Sequence, residues 1–285
     1  PAKILTLDQL GMPASVRSLA YLDGGLVLVT GPTGSGKSTT LATMIDARNT
    51  SASGHIITIE DPVEYVHPHK QCVITQREVG IDVSDFPEAM RRALRQDPDV
   101  ILVGELRDLE TISVALTAAE TGHLVLATLH TQSAQDTVSR VVDVFPSGQQ
   151  QQVRTQLAAT LQAVVCQTLV PTADGTSRAV AAEIMVCTPG VRAMIRDDKL
   201  QQIPGALQAG ARHGMQTLNA HLASHVRAGR VSREAGLEHC SDREDFLSLV
   251  GSKSTLAAGT MVSGNGTAGS NGAAPAVAAP TSSWS

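Results

Sequence analysis

Residues 31–40 read Gly-Pro-Thr-Gly-Ser-Gly-Lys-Ser-Thr-Thr, which is the spacing of a phosphate-binding loop, the Walker A motif. In such loops, small residues allow successive backbone N–H groups to turn around phosphate oxygens at the N-terminus of a helix. An apolar run at 26–29 precedes the loop, and a helix-forming run follows it. Because strand, loop and helix follow one another in this order, we predict that the chain binds a nucleoside triphosphate.

The residue types within the loop indicate separate tasks. Gly34 and Gly36 permit backbone conformations that a side chain would penalise. We expect the Lys37 ammonium group to reach the β- and γ-phosphates, and the Ser38 hydroxyl to take one coordination position on Mg²⁺. The loop residues predicted to bind the nucleotide are Gly31, Pro32, Thr33, Gly34, Ser35, Gly36, Lys37, Ser38 and Thr39.

Carboxylates follow two apolar runs that read as strands. The run at 99–104 ends in Glu105, a Walker B arrangement with glutamate, and we expect Glu105 to orient Mg²⁺ through its water ligands. Glu60, Asp61 and Glu64 follow the second run, at the end where open parallel sheets bind ligands. Crowded carboxylates raise one another's pKa unless a cation lies among them, so this cluster indicates a nearby metal ion or a base for water. A solvated acidic turn remains the alternative for any single member.

Two histidines bracket a further apolar run, His123 before it and His130 after it. Isolated histidines usually have structural roles. His130, however, falls at the carboxyl end of the predicted strand, on the same edge as the phosphate loop, where a ring N–H could sense the γ-phosphate. We therefore predict a catalytic role for His130, and leave a structural and a functional role equally open for His123.

Composition excludes several classes of protein. The 285 residues carry a net charge of -5 and only 2% aromatic residues, which argues against nucleic acid as a partner. The four cysteines form no C-x-x-C pair, so we expect ordinary reduced cysteines rather than a zinc site or a disulfide framework. No apolar run reaches eighteen residues and the first residues show no basic-then-apolar signal pattern, so we expect a soluble cytoplasmic protein.

Strand-like and helical segments alternate through the first half of the chain. Apolar strands separated by helices indicate an α/β fold with a parallel sheet that is covered on both faces. The predicted strands are 26–30, 55–60, 99–105 and 123–130, with an additional strand at 72–79. The predicted helices are one at 16–21 and others that follow Lys37, Pro87, Asp108 and Ser133.

The second half of the chain has a different pattern. It predicts a long helix at 147–164, a β-hairpin from 166–170 and 179–186, and then helices. We divide the chain into a linker at 1–24, an ATPase core at 25–188, a helical subdomain at 189–250 and a tail at 251–285. The tail consists of Gly, Ala, Ser, Thr and Pro with few charges, and this composition predicts disorder.

These segments, in this order, resemble the secretion ATPase superfamily of type II secretion and type IV pili. The family motifs match as Walker A, an acidic box at 59–67, Walker B at 101–105 and a histidine box at 121–131, within a resemblance that spans 3–246. Extension and secretion members usually carry two C-x-x-C pairs, which this chain lacks. Residues 190–197, Gly-Val-Arg-Ala-Met-Ile-Arg-Asp, lie where retraction members have Ala-Ile-Arg-Asn-Leu-Ile-Arg-Glu. The resemblance is therefore strongest to the retraction branch.

The resemblance implies a RecA-like P-loop NTPase core that hydrolyses ATP with Mg²⁺, and it assigns roles to several residues. It implies that Glu64 polarises the attacking water, while Lys37 and Ser38 hold phosphate and metal and Glu105 acts on the metal. Four arginines fall on family arginine positions, and we expect Arg77 among them to bind the nucleotide. The four are Arg77, Arg91, Arg95 and Arg107. Arg192 and Arg196 either lie on a solvated helix face or take part in coupling ATP hydrolysis to pilus retraction.

The family assembly implies further partners. We expect a homohexameric ring in the cytoplasm, docked at the inner membrane on the platform protein of a type IV pilus, which powers retraction and twitching motility. Contact with the membrane would be indirect. The chain starts without methionine, and we expect a fragment that lacks the family's N-terminal PAS-like domain. The alternatives are an ATP-binding accessory paralogue, which could also be a partner, and a pilus-extension or type II secretion ATPase.

Overall fold

The computed structural model describes residues 4–251, and within them seven strands form one sheet in the order β3-β2-β4-β5-β1-β6-β7. The strands are β1 (Gly25–Thr30), β2 (Gly54–Glu60), β3 (Cys72–Glu78), β4 (Val100–Val103), β5 (Leu124–Leu129), β6 (Leu161–Pro171) and β7 (Arg178–Val186). Every neighbouring pair is parallel except β6 and β7, which form the antiparallel hairpin. The predicted α/β fold with a mostly parallel sheet is confirmed.

Eleven α-helices and two short 3₁₀ turns, at Leu200–Gln202 and Ala211–His213, complete the fold within the described residues. The helices are α1 (Ala14–Leu19), α2 (Lys37–Ser51), α3 (Phe86–Ala93), α4 (Leu109–Glu120), α5 (Ala134–Asp143), α6 (Ser147–Thr160), α7 (Pro189–Arg196), α8 (Ile203–Ala209), α9 (Leu218–Arg227), α10 (Arg233–His239) and α11 (Arg243–Gly251). Many begin at a side chain that accepts a hydrogen bond from a first-turn N–H, which satisfies a group that the helix leaves unpaired. Examples are Asp85, Asp108, Ser133, Thr188, Thr217 and Ser232.

The central strands are buried on both faces, which explains why their sequences are almost entirely apolar. In β1, Leu26 and Leu28 face a core cluster that contains residues of α3 to α8, whereas Val27 and Val29 face a second cluster with residues of α1 and α2. Side chains alternate across the sheet in the same way along β4 and β5. The sheet is therefore the middle layer of a three-layer structure.

The predicted helix at 147–164 is wrong in its last residues. Helix α6 ends at Thr160, and β6 begins at Leu161 and lies between β1 and β7. Ala163, Val164 and Val165 pair with strands on both sides. A short apolar run fits a buried helix and a buried strand equally well in sequence, so only the neighbouring strands decide between them.

The C-terminal helices pack in two groups. Helices α7 and α8 contribute Val191, Ile195 and Leu207 to the core cluster that also contains Leu26 and Leu28 of β1. Helices α9 to α11 form a separate small cluster in which Leu222 and Phe246 pack against the β6–β7 hairpin. The predicted subdomain boundary at 189 stays a prediction. The predicted disordered tail lies outside the described residues from 252 onward.

All four cysteines lie in the described part of the chain, and all are free thiols, as the sequence predicts. Burial raises the pKa of the Cys166 and Cys187 thiols to about 12, so both remain protonated at neutral pH. Cys72 is also buried, and Cys240 is partly exposed. The cysteines therefore contribute to packing as small apolar side chains.

A pair of histidines lies where α9 crosses the hairpin. The ring centroids of His221 and His225 are 4.5 Å apart with the rings tilted by 32°, and His221 Nδ1 accepts a hydrogen bond from the backbone N–H of Ala182 at 3.0 Å. His225 Nε2 bonds the carbonyl of Val180 at 2.8 Å. Burial, with a smaller contribution from His225, lowers the pKa of His221 from 6.5 to about 4.

We predict that acid weakens the fold through His221. Because its pKa is lower in the folded chain, the unfolded chain binds more protons between pH 6.5 and about 4. The neutral ring makes its full contribution to the free energy of unfolding above pH 6.5. As the pH falls, this contribution is lost, and the loss is on the order of 3 kcal/mol at most. The free energy of unfolding in urea should therefore differ less between pH 7.5 and pH 5 for His221→Asn than for the unmodified chain. His213→Asn, at an exposed position, is the matched control and should leave the difference unchanged.

Candidate functional site

The phosphate loop connects the end of β1 to the start of α2. Gly31, Gly34 and Gly36 have φ angles of 141°, 78° and 86°, a region that favours glycine. A Cβ atom at Gly31 would lie 2.2 Å from the carbonyl oxygen of Gln167, so no side chain fits there. Gly36 is the N-cap residue of α2, and the loop therefore places its N–H groups at the positive end of that helix.

Lys37 is the first residue of α2, and its side chain folds back over the loop. Its Nζ atom donates hydrogen bonds to the carbonyls of Gly31 at 2.9 Å and Pro32 at 3.2 Å. Burial lowers the pKa of Lys37, although the nearby carboxylates of Glu105 and Glu64 oppose this effect. The ammonium group thus lies between the loop and two acidic side chains.

The acidic segment after β2 lies against the first turn of α2. The Ser38 hydroxyl donates a hydrogen bond of 2.6 Å to Glu64 Oε1, and the hydroxyls of Thr39 and Tyr65 are 2.9 Å apart. Gln76 of β3 holds this segment from the other side, because its amide donates to the carbonyl of Tyr65 at 2.9 Å. These bonds bring Glu64 beside the loop although it lies 26 positions after Ser38 in the sequence, with β2 between them.

Glu105 lies after β4 between two basic groups. Its carboxylate is 2.7 Å from the Arg107 guanidinium and 3.1 Å from His130 Nε2. Burial would raise the pKa of Glu105, but the hydrogen bond from Arg107 and the charge of His130 outweigh it and hold the pKa below its usual value. The hydroxyl of Thr128 in β5 donates to the carbonyl of Gly104, so the neighbouring strand fixes the backbone beside Glu105.

Glu60 ends β2 and behaves differently from the other acids. Its carboxylate accepts hydrogen bonds from Thr58 at 2.6 Å and from Gln76 at 3.2 Å. Burial raises its pKa in spite of these bonds. Of the three acids in this segment, Glu60 is therefore bonded within the sheet, Glu64 contacts the phosphate loop, and Asp61 lines the cavity that they share.

One cavity of about 560 Å³ joins these groups at the carboxyl ends of the strands. The predicted site residues that line it are Thr33, Gly34, Gly36, Lys37, Ser38, Thr39, Glu64, Glu105 and His130. Gly31, Pro32 and Ser35 belong to the loop but do not line the cavity. The sequence motifs thus converge on one space, as the parallel strands require.

Other predicted residues lie elsewhere. Arg77 is exposed on the edge strand β3 and does not line the cavity. Arg91 pairs with Glu110 at 2.7 Å on the surface, whereas Arg107 lines the cavity through its contact with Glu105. His123 precedes β5, at the opposite edge of the sheet, and its ring contacts the carbonyl of Ala118 at 3.1 Å, which is a structural role.

Two arginines of the segment that resembles the retraction branch also have defined contacts. The Arg192 guanidinium donates to the carbonyls of Ala158 and Ala159, at 2.6 and 2.9 Å, and so satisfies the last turn of α6. Arg196 is exposed and pairs with Asp197. Arg192 is therefore a cap for a neighbouring helix rather than part of a solvated face.

Sequence reasoning missed several residues of the cavity and its surroundings. Tyr65, Arg178 and Leu169 line it, and Gln167 holds the loop from behind. A polar residue inside an apolar strand was the available signal for Gln167, because buried polar groups need partners. No sequence signal identified Arg178, which reaches the cavity only because the hairpin returns β7 beside β6.

The residues present fit a triphosphate with a magnesium ion. The Ser35 hydroxyl is buried and has no hydrogen-bond partner among the described residues, and Ser35 belongs to the phosphate loop, two residues before Lys37. The described residues contain no group of three metal-binding side chains. A hydroxyl and a few carboxylates suit Mg²⁺, which keeps most of its water ligands and takes few from the protein.

None of the helices within residues 4–251 combines the length and the apolar character needed to cross a membrane.

The chain is 53% identical over 246 residues to the type IV pilus retraction ATPase PilT of Pseudomonas aeruginosa, with 86% of this chain and 71% of that protein covered. It is 50% identical to a twitching motility protein of Neisseria gonorrhoeae, with 86% and 66% covered. The chain thus spans about two thirds of the length of these relatives.

A solved structure and a family model indicate the same family of proteins. The fold is similar to the crystal structure of the pilus retraction motor PilT with bound ADP, with a TM-score of 0.81, 49% identity, and 86% of this chain and 69% of that chain covered. The model of the family described as type II/IV secretion system protein matches residues 3–245. The chain therefore belongs to the type II/IV secretion system protein family.

Proposed function

We propose that this chain is the ATP-hydrolysing core of a motor that retracts type IV pili. The observation that carries the proposal is the convergence of the phosphate loop, Glu64, Glu105 and His130 on one cavity, in a chain that is 53% identical to a retraction ATPase. The reaction is hydrolysis of ATP to ADP and phosphate. Its energy drives pilin subunits back into the membrane, which produces twitching motility.

The chemistry requires positioning and charge neutralisation more than covalent catalysis. The loop N–H groups and Lys37 hold the β- and γ-phosphates. Glu64, beside Ser38 at the mouth of the loop, orients and polarises the attacking water. His130, which contacts Glu105, lies where its ring can respond to the γ-phosphate. Ser38 would hold Mg²⁺ and Glu105 would orient it, and the ion would supply further neutralisation of phosphate charge.

The assembly is also part of the proposal. Four acidic residues, Glu60, Asp61, Glu64 and Glu105, line the cavity, so part of the phosphate charge is left to be neutralised from outside the chain. Arginines of a neighbouring copy in a homohexamer would supply this charge, and Arg77 is exposed on an edge strand where it can face another subunit. We propose that the ring works in the cytoplasm on the inner-membrane platform protein of the pilus. A retraction paralogue as an additional partner stays a prediction.

Two substitutions separate nucleotide binding from hydrolysis. Lys37→Ala should abolish measurable binding of ATP, because the phosphates lose their ammonium partner. Glu64→Gln should keep binding and lower turnover by at least about 100-fold, because the amide cannot polarise water as the carboxylate does. Binding is measured with a fluorescent nucleotide and turnover as released phosphate.

The control for charge removal is Glu238→Gln, at an exposed position of α10, which should change neither quantity. Equal loss of binding in Lys37→Ala and Glu64→Gln would contradict the role of Glu64 in activating water. Binding without turnover in the unmodified full-length protein would instead indicate the accessory paralogue.

Deletion of the gene distinguishes a motor that retracts pili from one that extends them. We expect a deletion strain to keep surface pili, because assembly does not need this enzyme, and to lose twitching. Pili are counted by electron microscopy and twitching is measured as the width of subsurface colonies. A strain without pili would show that the protein serves extension. Complementation with the Lys37→Ala variant should not restore twitching.

A further inference from the structure

Gln167 is a buried polar residue that the proposed chemistry does not use. It lies within β6, between Cys166 and Thr168, and its exposed fraction is 3%. A glutamine in such a position must find partners for both ends of its amide, because an unpaired buried amide is costly. The partners of Gln167 belong to the phosphate loop and the first turn of α2.

Both ends of the amide are paired. Gln167 Oε1 accepts a hydrogen bond of 2.9 Å from the Thr40 hydroxyl, and Nε2 donates one of 2.8 Å to the carbonyl of Ser35. Thr40 and Ser35 are themselves buried. The amide therefore connects the middle of the loop to the helix that follows it, in a region from which water is excluded.

The same residue also contacts the beginning of the loop. Its carbonyl oxygen would lie 2.2 Å from a Cβ atom at Gly31, and its Nε2 atom 3.3 Å from one at Gly36. This proximity follows from the sheet, since β6 pairs in parallel with β1 and places Cys166 opposite Thr30. Gln167 is thus the next residue along β6, just where the chain leaves β1 for the loop.

The loop needs such a support. Its glycines accept many backbone conformations, so the loop sequence alone does not hold the N–H groups in the arrangement that binds phosphate. A binding site that is already ordered binds its ligand more tightly, because less freedom is lost on binding. Hydrogen bonds to Ser35 and Thr40 restrict the loop on the side away from the phosphates.

We propose that Gln167 is a positioning residue for the phosphate loop and that it sets the nucleotide affinity. This inference rests on the nucleotide binding proposed above. It also gives the hairpin a role, because β6 continues from Gln167 to Val170, which packs with Leu222 and Phe246 of the C-terminal helices. The conformation of the loop then depends on the strand that carries those helices.

The test is Gln167→Leu, which keeps the approximate volume and removes both hydrogen bonds. We expect the dissociation constant for ADP, measured by calorimetry, to rise by about tenfold or more, because a buried carbonyl and a hydroxyl lose their partner. The KM for ATP should rise with it. The kcat should change far less, since Gln167 contacts no reacting group.

Three variants control for a general loss of stability. Gln216→Leu removes another glutamine whose Nε2 donates to a backbone carbonyl, that of Ala182 at 2.8 Å, and it should leave ADP affinity unchanged. Thr40→Val removes the hydroxyl that bonds Gln167 and should weaken ADP binding. Thr40→Ser keeps the hydroxyl and should restore it. The Thr40 pair decides the question even if Gln167→Leu does not fold.

Wild-type ADP affinity in Gln167→Leu, or equal affinities in Thr40→Val and Thr40→Ser, would overturn this inference alone. A loss of ADP affinity in Gln216→Leu equal to that in Gln167→Leu would also overturn it, because the effect would then reflect stability. If the unmodified chain did not bind ADP, the proposed function would fail as well.

Discussion

The site depends on the parallel pairing of the central strands. When β1, β2, β4 and β5 run in the same direction, the residues that follow them must meet at one edge of the sheet. This single constraint brings together the loop after β1, the acidic segment after β2, Glu105 after β4 and His130 after β5. Reversing any one of these strands would move its functional side chain to the opposite edge, far from Lys37.

The edge created in this way concentrates charges of both signs. Lys37 lies near Glu64 and Glu105, and Glu105 is also paired with Arg107 and His130. Such an arrangement can exchange partners when a highly charged ligand binds, because the cations can pair with phosphate and the carboxylates with a metal ion. Glu60 lines the same cavity, but burial raises its pKa, whereas the pKa of Glu105 is lowered by the basic groups beside it.

The hairpin of β6 and β7 connects this edge to the rest of the chain. On one side β6 pairs with β1 and supports the phosphate loop, and on the other the hairpin carries the cluster around Phe246. Arg192 attaches α7 to the end of α6, directly before β6 begins. The nucleotide site and the C-terminal helices are therefore joined through one continuous strand rather than through a flexible linker, a useful property in a protein that converts hydrolysis into movement.

The sequence by itself determined the local motifs and the α/β class. Lys37, Ser38 and Glu105 were predictable because a phosphate loop and an apolar strand ending in an acid are recognisable within a few residues. Tertiary structure alone decided that residues 161–164 are strand, that Gln167 holds the loop, and that Arg178 reaches the cavity while Arg77 does not. These outcomes depend on which strands are neighbours, and pairing between distant segments leaves no local pattern for the sequence to show.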